Sequence, residues 1–154
     1  MKLPVLMVAV AAIGLSGCAK EVALVKGEMP KPGGSLEGGP WLVEDLNGGG
    51  APDGVRLDAT FEPGDQNTST VSGVSGCNRF RGGWQQTGAT VKFGPLAGTM
   101  MMCEPAKLDT ERKFLQTLET VTTVSFDATG AALLKAPDGR VIKLRRETKQ
   151  AGEP

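Results

Sequence analysis

Between residues 55 and 62 hydrophobic and polar positions alternate with a period of two. Val55, Leu57, Ala59 and Phe61 interleave with Arg56, Asp58, Thr60 and Glu62, which sends one set into a core and the other into water. Shorter stretches of the same kind flank it. Trp41–Leu46 reads as a strand that stops at Asn47-Gly48-Gly49-Gly50. Val71–Ser75, Arg79–Gln86 and Ala89–Phe93 read as three more. In the second of these, Phe80, Gly82 and Trp84 share one side, and Arg79 and Arg81 face water on the other. The period then changes. Phe114, Leu115, Leu118 and Val121 are spaced for one face of a helix. Glu104-Pro105 can begin it, because proline is tolerated in the first turn; Asp109 is a later candidate cap. Thr123–Phe126, Ala131–Ala136 and Val141–Arg145 return to strands, with turns at Asp127–Gly130 and Pro137-Asp138-Gly139. A lone helix among antiparallel strands must bury its apolar stripe against the sheet. The expected fold class is therefore α+β: a curved antiparallel sheet of about eight strands wrapped around one helix, which is inserted between strands 5 and 6.

Composition supports this picture and narrows the function. The chain has 154 residues, with Gly 22, no His and no Tyr, which fits one β-rich domain with many turns. Lys+Arg 17 balances Asp+Glu 17. A nucleic-acid binder would carry a basic excess, so nucleic acid is not an expected partner. Without His, a serine or cysteine nucleophile lacks its usual base. There is no Gly-x-Ser-x-Gly and no phosphate-cradling Gly-x-x-x-x-Gly-Lys-Ser/Thr run. Glu44 and Asp45 are neighbours and cannot share one strand face. No catalytic residue, cofactor or enzyme activity is expected.

The two ends of the chain differ from its middle. Lys2 supplies a positive start, Leu3–Leu15 an apolar run, and Ser16 and Gly17 two small residues before Cys18. A spanning helix needs about 20 apolar residues, and this run ends sooner, at Lys20 and Glu21. Leu15-Ser16-Gly17-Cys18 resembles the bacterial lipobox. That resemblance implies a signal peptide over 1–17, cleavage before Cys18 and a lipid on its thiol. The expected partner is then the membrane, reached through the lipid anchor. Ala19 in the position after the cysteine implies delivery to an outer membrane, facing the periplasm. Residues 18–40, with Pro30, Pro32, Gly33, Gly34, Gly38, Gly39 and Pro40, read as a flexible tether that spans about 25 Å. Residues 147–154 read as a disordered tail, which leaves 41–146 as the domain.

Within that domain three stretches resemble the META/HslJ-like domain. They are Trp41-Leu42-Val43, the block from Ser75-Gly76-Cys77-Asn78 to Trp84, and Phe93–Cys103 with its Thr99-Met100-Met101-Met102-Cys103 end. The helical run Glu111–Leu115, Glu-Arg-Lys-Phe-Leu, and a terminal hairpin follow in the same order. Gly98 and Trp84 stand where the family often has Ser and Tyr. The resemblance implies a cracked-barrel-like sheet and a small secreted or lipid-anchored protein, in some relatives tied to stress or drug resistance. It implies no known enzyme. Asn78, Trp84, Thr99 and Met101 are its candidate ligand or motif positions, toward an apolar ligand or an envelope protein.

Cys77 and Cys103 occupy family positions and form an even pair once Cys18 carries a lipid. An oxidising exported compartment favours a disulfide between them; two buried free thiols are the alternative. Closing that loop would contribute about 3.5 kcal/mol in the chain-entropy model. Soft thioethers at Met100, Met101 and Met102 beside Cys103 could suit Cu(I). Irregular core space explains them more simply, so no metal site is expected. Asn78 beside Gly76 can either contact a ligand or bond local backbone at a turn.

Overall fold

The structure, a computed structural model, describes residues 34–65 and 69–147. The expected signal segment, Cys18 with its expected lipid, the tether as far as residue 33, and the tail from residue 148 lie outside the described residues. The strands are β1 (Gly38–Leu46), β2 (Asp58–Glu62), β3 (Thr70–Val74), β4 (Arg79–Thr87), β5 (Thr90–Phe93) and β6 (Ala97–Gly98). The helix α1 (Pro105–Thr120) follows, and then β7 (Thr123–Phe126), β8 (Ala132–Lys135) and β9 (Val141–Arg146). Pro105 stands in the first turn of α1, where its missing N–H has no intrahelical partner to lose.

Every pairing is antiparallel. The order β3-β2-β1-β9-β8-β7-β5-β4 closes on itself through β3–β4. Closure leaves few open edges for another chain to pair with. The long strand β4 is the hub. Residues 79–83 pair with β3 on one side. On the other, residues 84–87 pair with β5, while Phe80 and Arg81 pair with β6. β5 meets β7 at one register pair, Thr90↔Thr123, supported by Val91 N–H to Thr122 O and Val124 N–H to Ala89 O. Among the described residues β6 pairs with β4 alone. The wall is thin there, and α1 bonds to its rim. Glu119 accepts from Leu96 N–H at 3.1 Å. On the far side Thr117 bonds Asn47 Nδ2 at 3.2 Å.

The barrel interior is filled by side chains. Leu57, Ala59, Phe61, Val71, Phe80, Trp84, Val91, Val124, Leu134, Ile142 and Leu144 meet Phe114, Leu118 and Val121 from the helical side. Phe80 and Phe114 stack edge-to-face at 5.7 Å, and Phe61 and Trp84 at 5.1 Å, the arrangement that aromatic quadrupoles favour. Thr117 is fully buried on the apolar face of α1. It is tolerated because its hydroxyl donates to Lys113 O at 2.8 Å, which satisfies a group that would be costly to bury unpaired.

The structure differs from the sequence expectations in four places. First, residues 34–40 belong to the fold, not to the tether. Leu36 is fully buried, its N–H donates to Gln86 Oε1, and Gln86 Nε2 donates to Gly34 O. A Gly/Pro-rich stretch carries no periodicity, so one buried leucine fixed by distant contacts leaves no local signal. Second, β6 makes a sixth strand before the helix, and a two-residue strand is too short to show a period. Third, the strand expected from Val55 starts at Asp58, with Leu57 joined to Ser75 by one bridge. Asp58 is buried although the alternation points it outward. It accepts from Val74 N–H at 2.9 Å and pairs with Arg56. Fourth, Met100, Met101 and Met102 do not fill core space; they are 97%, 55% and 101% exposed.

Candidate functional site

The motif residues converge at the turn between β3 and β4, where the rim of the barrel meets α1. Gly76 opens the site. Its φ of +111° lies in the region that favours glycine, and a Cβ there would sit 2.9 Å from Val55. The turn so formed carries Cys77 and brings Asn78 inward to 2% exposure. Nearby, Gly73 allows β3 to approach Asp58, because a Cβ would fall 2.0 Å from Asp58 O.

Asn78 uses its backbone and side-chain groups within the protein. Its N–H donates to Glu111 Oε2 at 2.9 Å and its Nδ2 to Glu111 Oε1 at 3.0 Å. Its Oδ1 accepts from Thr99 Oγ1 at 2.9 Å and from Met101 N–H at 2.8 Å. Its carbonyl accepts from Ser75 N–H at 2.8 Å. Ser75 Oγ lies 2.9 Å from both Asn78 O and Glu111 Oε2, so its single proton serves one of them at a time. Thr99 is also bound to β4, accepting from Arg79 N–H at 3.2 Å while its own N–H donates to Arg79 O at 2.9 Å. Cys77 and Cys103 are disulfide-bonded, with Cα atoms 6.3 Å apart and a sequence separation of 26.

This is a polar knot that fastens three segments: the β3–β4 turn, the run from Thr99 to Cys103, and the first half of α1. It holds backbone in place. Asn78, Thr99 and the Met101 backbone are brought together in it. Trp84 is apart, half a strand away, packed on Phe61 with its Nε1 donating to Glu62 O at 3.2 Å. Cys18 lies outside the described residues.

In the sequence Glu111 stands only as part of a helical run, yet it is the centre of the knot. A signal for it existed. Positions 111, 114 and 118 share one helical face, so a carboxylate stands in line with Phe114 and Leu118. A charged residue on an apolar stripe needs buried partners, but the sequence could not say which. Ser75 gave no signal of its own.

On the outer wall, Glu44 joins Arg145 and Lys143. The Arg145 guanidinium bonded to it holds its carboxyl below the usual range, with Lys143 adding to the effect and burial opposing it. The same contact raises Arg145. Asp127 is likewise lowered, first by the Thr129 hydroxyl, and caps its own turn. These are surface pairs of modest energetic weight.

Comparison with known proteins adds three findings. The META domain family model matches residues 34–149. An NMR structure of a protein from Burkholderia xenovorans is 25% identical, with a TM-score of 0.59 over 74% of this chain and 85% of that one. A second NMR structure, 21% identical, has a TM-score of 0.56 over 72% of this chain and 91% of that one, and speaks for the fold alone. No curated protein matches the chain.

Proposed function

Because the chain belongs to the META domain family, we propose that it is a lipid-anchored envelope protein of bacteria whose barrel serves as a non-enzymatic binding or stress-response module. The observation that carries the reading is Leu15-Ser16-Gly17-Cys18 standing 16 residues ahead of Gly34, the start of the family match. The Cys77–Cys103 bond supports it, since disulfides persist in exported compartments. The motif residues are spent on holding the fold together, so recognition falls to the outer surface. Labelling cells with an alkyne fatty acid tests the anchor. Label on the wild-type chain, and none on Cys18→Ser, is the expected result. A soluble mature protein with a free thiol at position 18 would remove the proposal. Alkylation of the non-reduced, unfolded exported chain should leave Cys77 and Cys103 unlabelled.

A second reading, a structural accessory of a larger envelope assembly, is favoured by one observation. The junction between α1 and the sheet is filled by Phe80, Phe114 and Leu118, side chains that occupy the space a lipid tail would need there. Affinity capture of the anchored protein separates the two. A stoichiometric protein partner and no co-purifying lipid supports the accessory role.

A further inference from the structure

We propose that Met100, Met101 and Met102 form a binding site for a soft monovalent cation of the Cu(I) or Ag(I) type. This inference goes beyond the anchored-module reading and does not rest on it. The described residues contain three methionines, and all three stand in this one run. The core is built from Leu, Val, Ile, Phe, Trp and Ala. Methionine is therefore not used here as a filler of irregular core space, which is its common role. Instead, the thioethers of Met100 and Met102 stand 97% and 101% exposed, with Met101 half-exposed beside them.

The run that carries them is held in place. Thr99 is bonded to Asn78 and Arg79. Met101 N–H donates to Asn78 Oδ1 at 2.8 Å, and Cys103 is tied to Cys77. A backbone pinned before, within and after the three side chains has already met much of the ordering cost of binding. Cα atoms two residues apart lie at most about 7 Å apart. The three torsions of each methionine let the Met100 and Met102 sulfurs converge on one ion.

The donors choose the ion. Thioethers are neutral and soft, and they select Cu(I) over hard or borderline cations. Among the described residues no group of His, Cys, Asp or Glu is arranged to hold a metal. Binding exchanges water for thioether sulfur and involves no redox step.

The test uses the full chain with Cys18→Ser, so that no free thiol competes for the ion, labelled with methyl-13C methionine and titrated with silver nitrate in chloride-free buffer. Silver needs no reductant, so the disulfide stays intact. The methyl signals of Met100 and Met102 should move most and that of Met101 less, with saturation at a single ion per chain. Met100→Leu, Met101→Leu and Met102→Leu combined keeps an apolar surface but removes the sulfurs. It should abolish the saturable single-ion binding, because the soft donors are gone, with Tm unchanged. Equal affinity in the triple variant, which would place silver elsewhere on the chain, overturns the proposal. So does a wild-type titration in which the three signals stay still. A surface that serves lipid or protein contact through apolarity alone would show that second result.

Discussion

The two ends of β4 each fasten a segment that has no regular structure of its own, and they do so by different means. At the Asn78 end, the run from Thr99 to Cys103 is held by a saturated polar network, a carboxylate from α1 and a disulfide. At the Gln86 end, residues 34–36 are held by two hydrogen bonds to the side-chain amide of one glutamine and by the burial of Leu36. Burial does most of the holding at the second end, and hydrogen bonds to a charged group at the first. The difference explains why one end could be seen in the sequence. A polar knot needs particular residue types at particular places, and these read as a motif. A buried leucine in a Gly/Pro-rich stretch needs only a hole of the right shape.

If that contrast is right, Leu36→Ala should have the largest effect, lowering stability by about 3 kcal/mol through lost burial and the cavity left behind. Chemical denaturation of the full chain measures it. A loss under about 1 kcal/mol would mean that the segment is docked but not part of the core. Glu111→Ala comes next. It strips the acceptor from Asn78 N–H and Nδ2 and should cost about 2 kcal/mol. Limited proteolysis should then cut between Thr99 and Cys103 sooner than in the wild type. Gln86→Ala should cost about 1 kcal/mol, because the amides it frees can turn to water. If Gln86→Ala cost as much as Glu111→Ala, the two ends would not differ as described.

The smallest effect concerns pH. Glu44 has a folded pKa below its ordinary value of 4.5, chiefly through Arg145. Its contribution is therefore complete above that value and fades as pH falls through the lowered one. Tm of the wild type should drop toward that of Glu44→Gln as pH is taken from about 6 to about 3. Parallel curves across that window would show that the outer-wall cluster adds nothing. The pair is exposed, so the difference is expected to be slight.

Most strands were legible because each alternates over several residues, as Val55–Glu62 and Val141–Arg145 do. β6 was not, since two residues carry no period. Asn78 and Thr99 were legible as a pattern. Their bond to each other was not, because 21 residues separate them and nothing in either neighbourhood points to the other. Glu111 was visible as a carboxylate on an apolar stripe, while its partners came from a turn 33 residues earlier. The methionines misled because a hydrophobic residue in a strand-rich chain ordinarily goes inside.

The sequence by itself determined the α+β class, the helix, the alternating faces and the family resemblance, and it left the Cys77–Cys103 pair as one of two alternatives that the structure decided. Each of these is written in short-range spacing or in a motif. Only the tertiary structure decided that the sheet closes on itself, that residues 34–40 belong to it, that Glu111 ties the helix to the motif, and that three thioethers face water. Those outcomes depend on which distant segments meet. Closure brings together groups far apart along the chain, and a local pattern carries no record of the partner across the barrel.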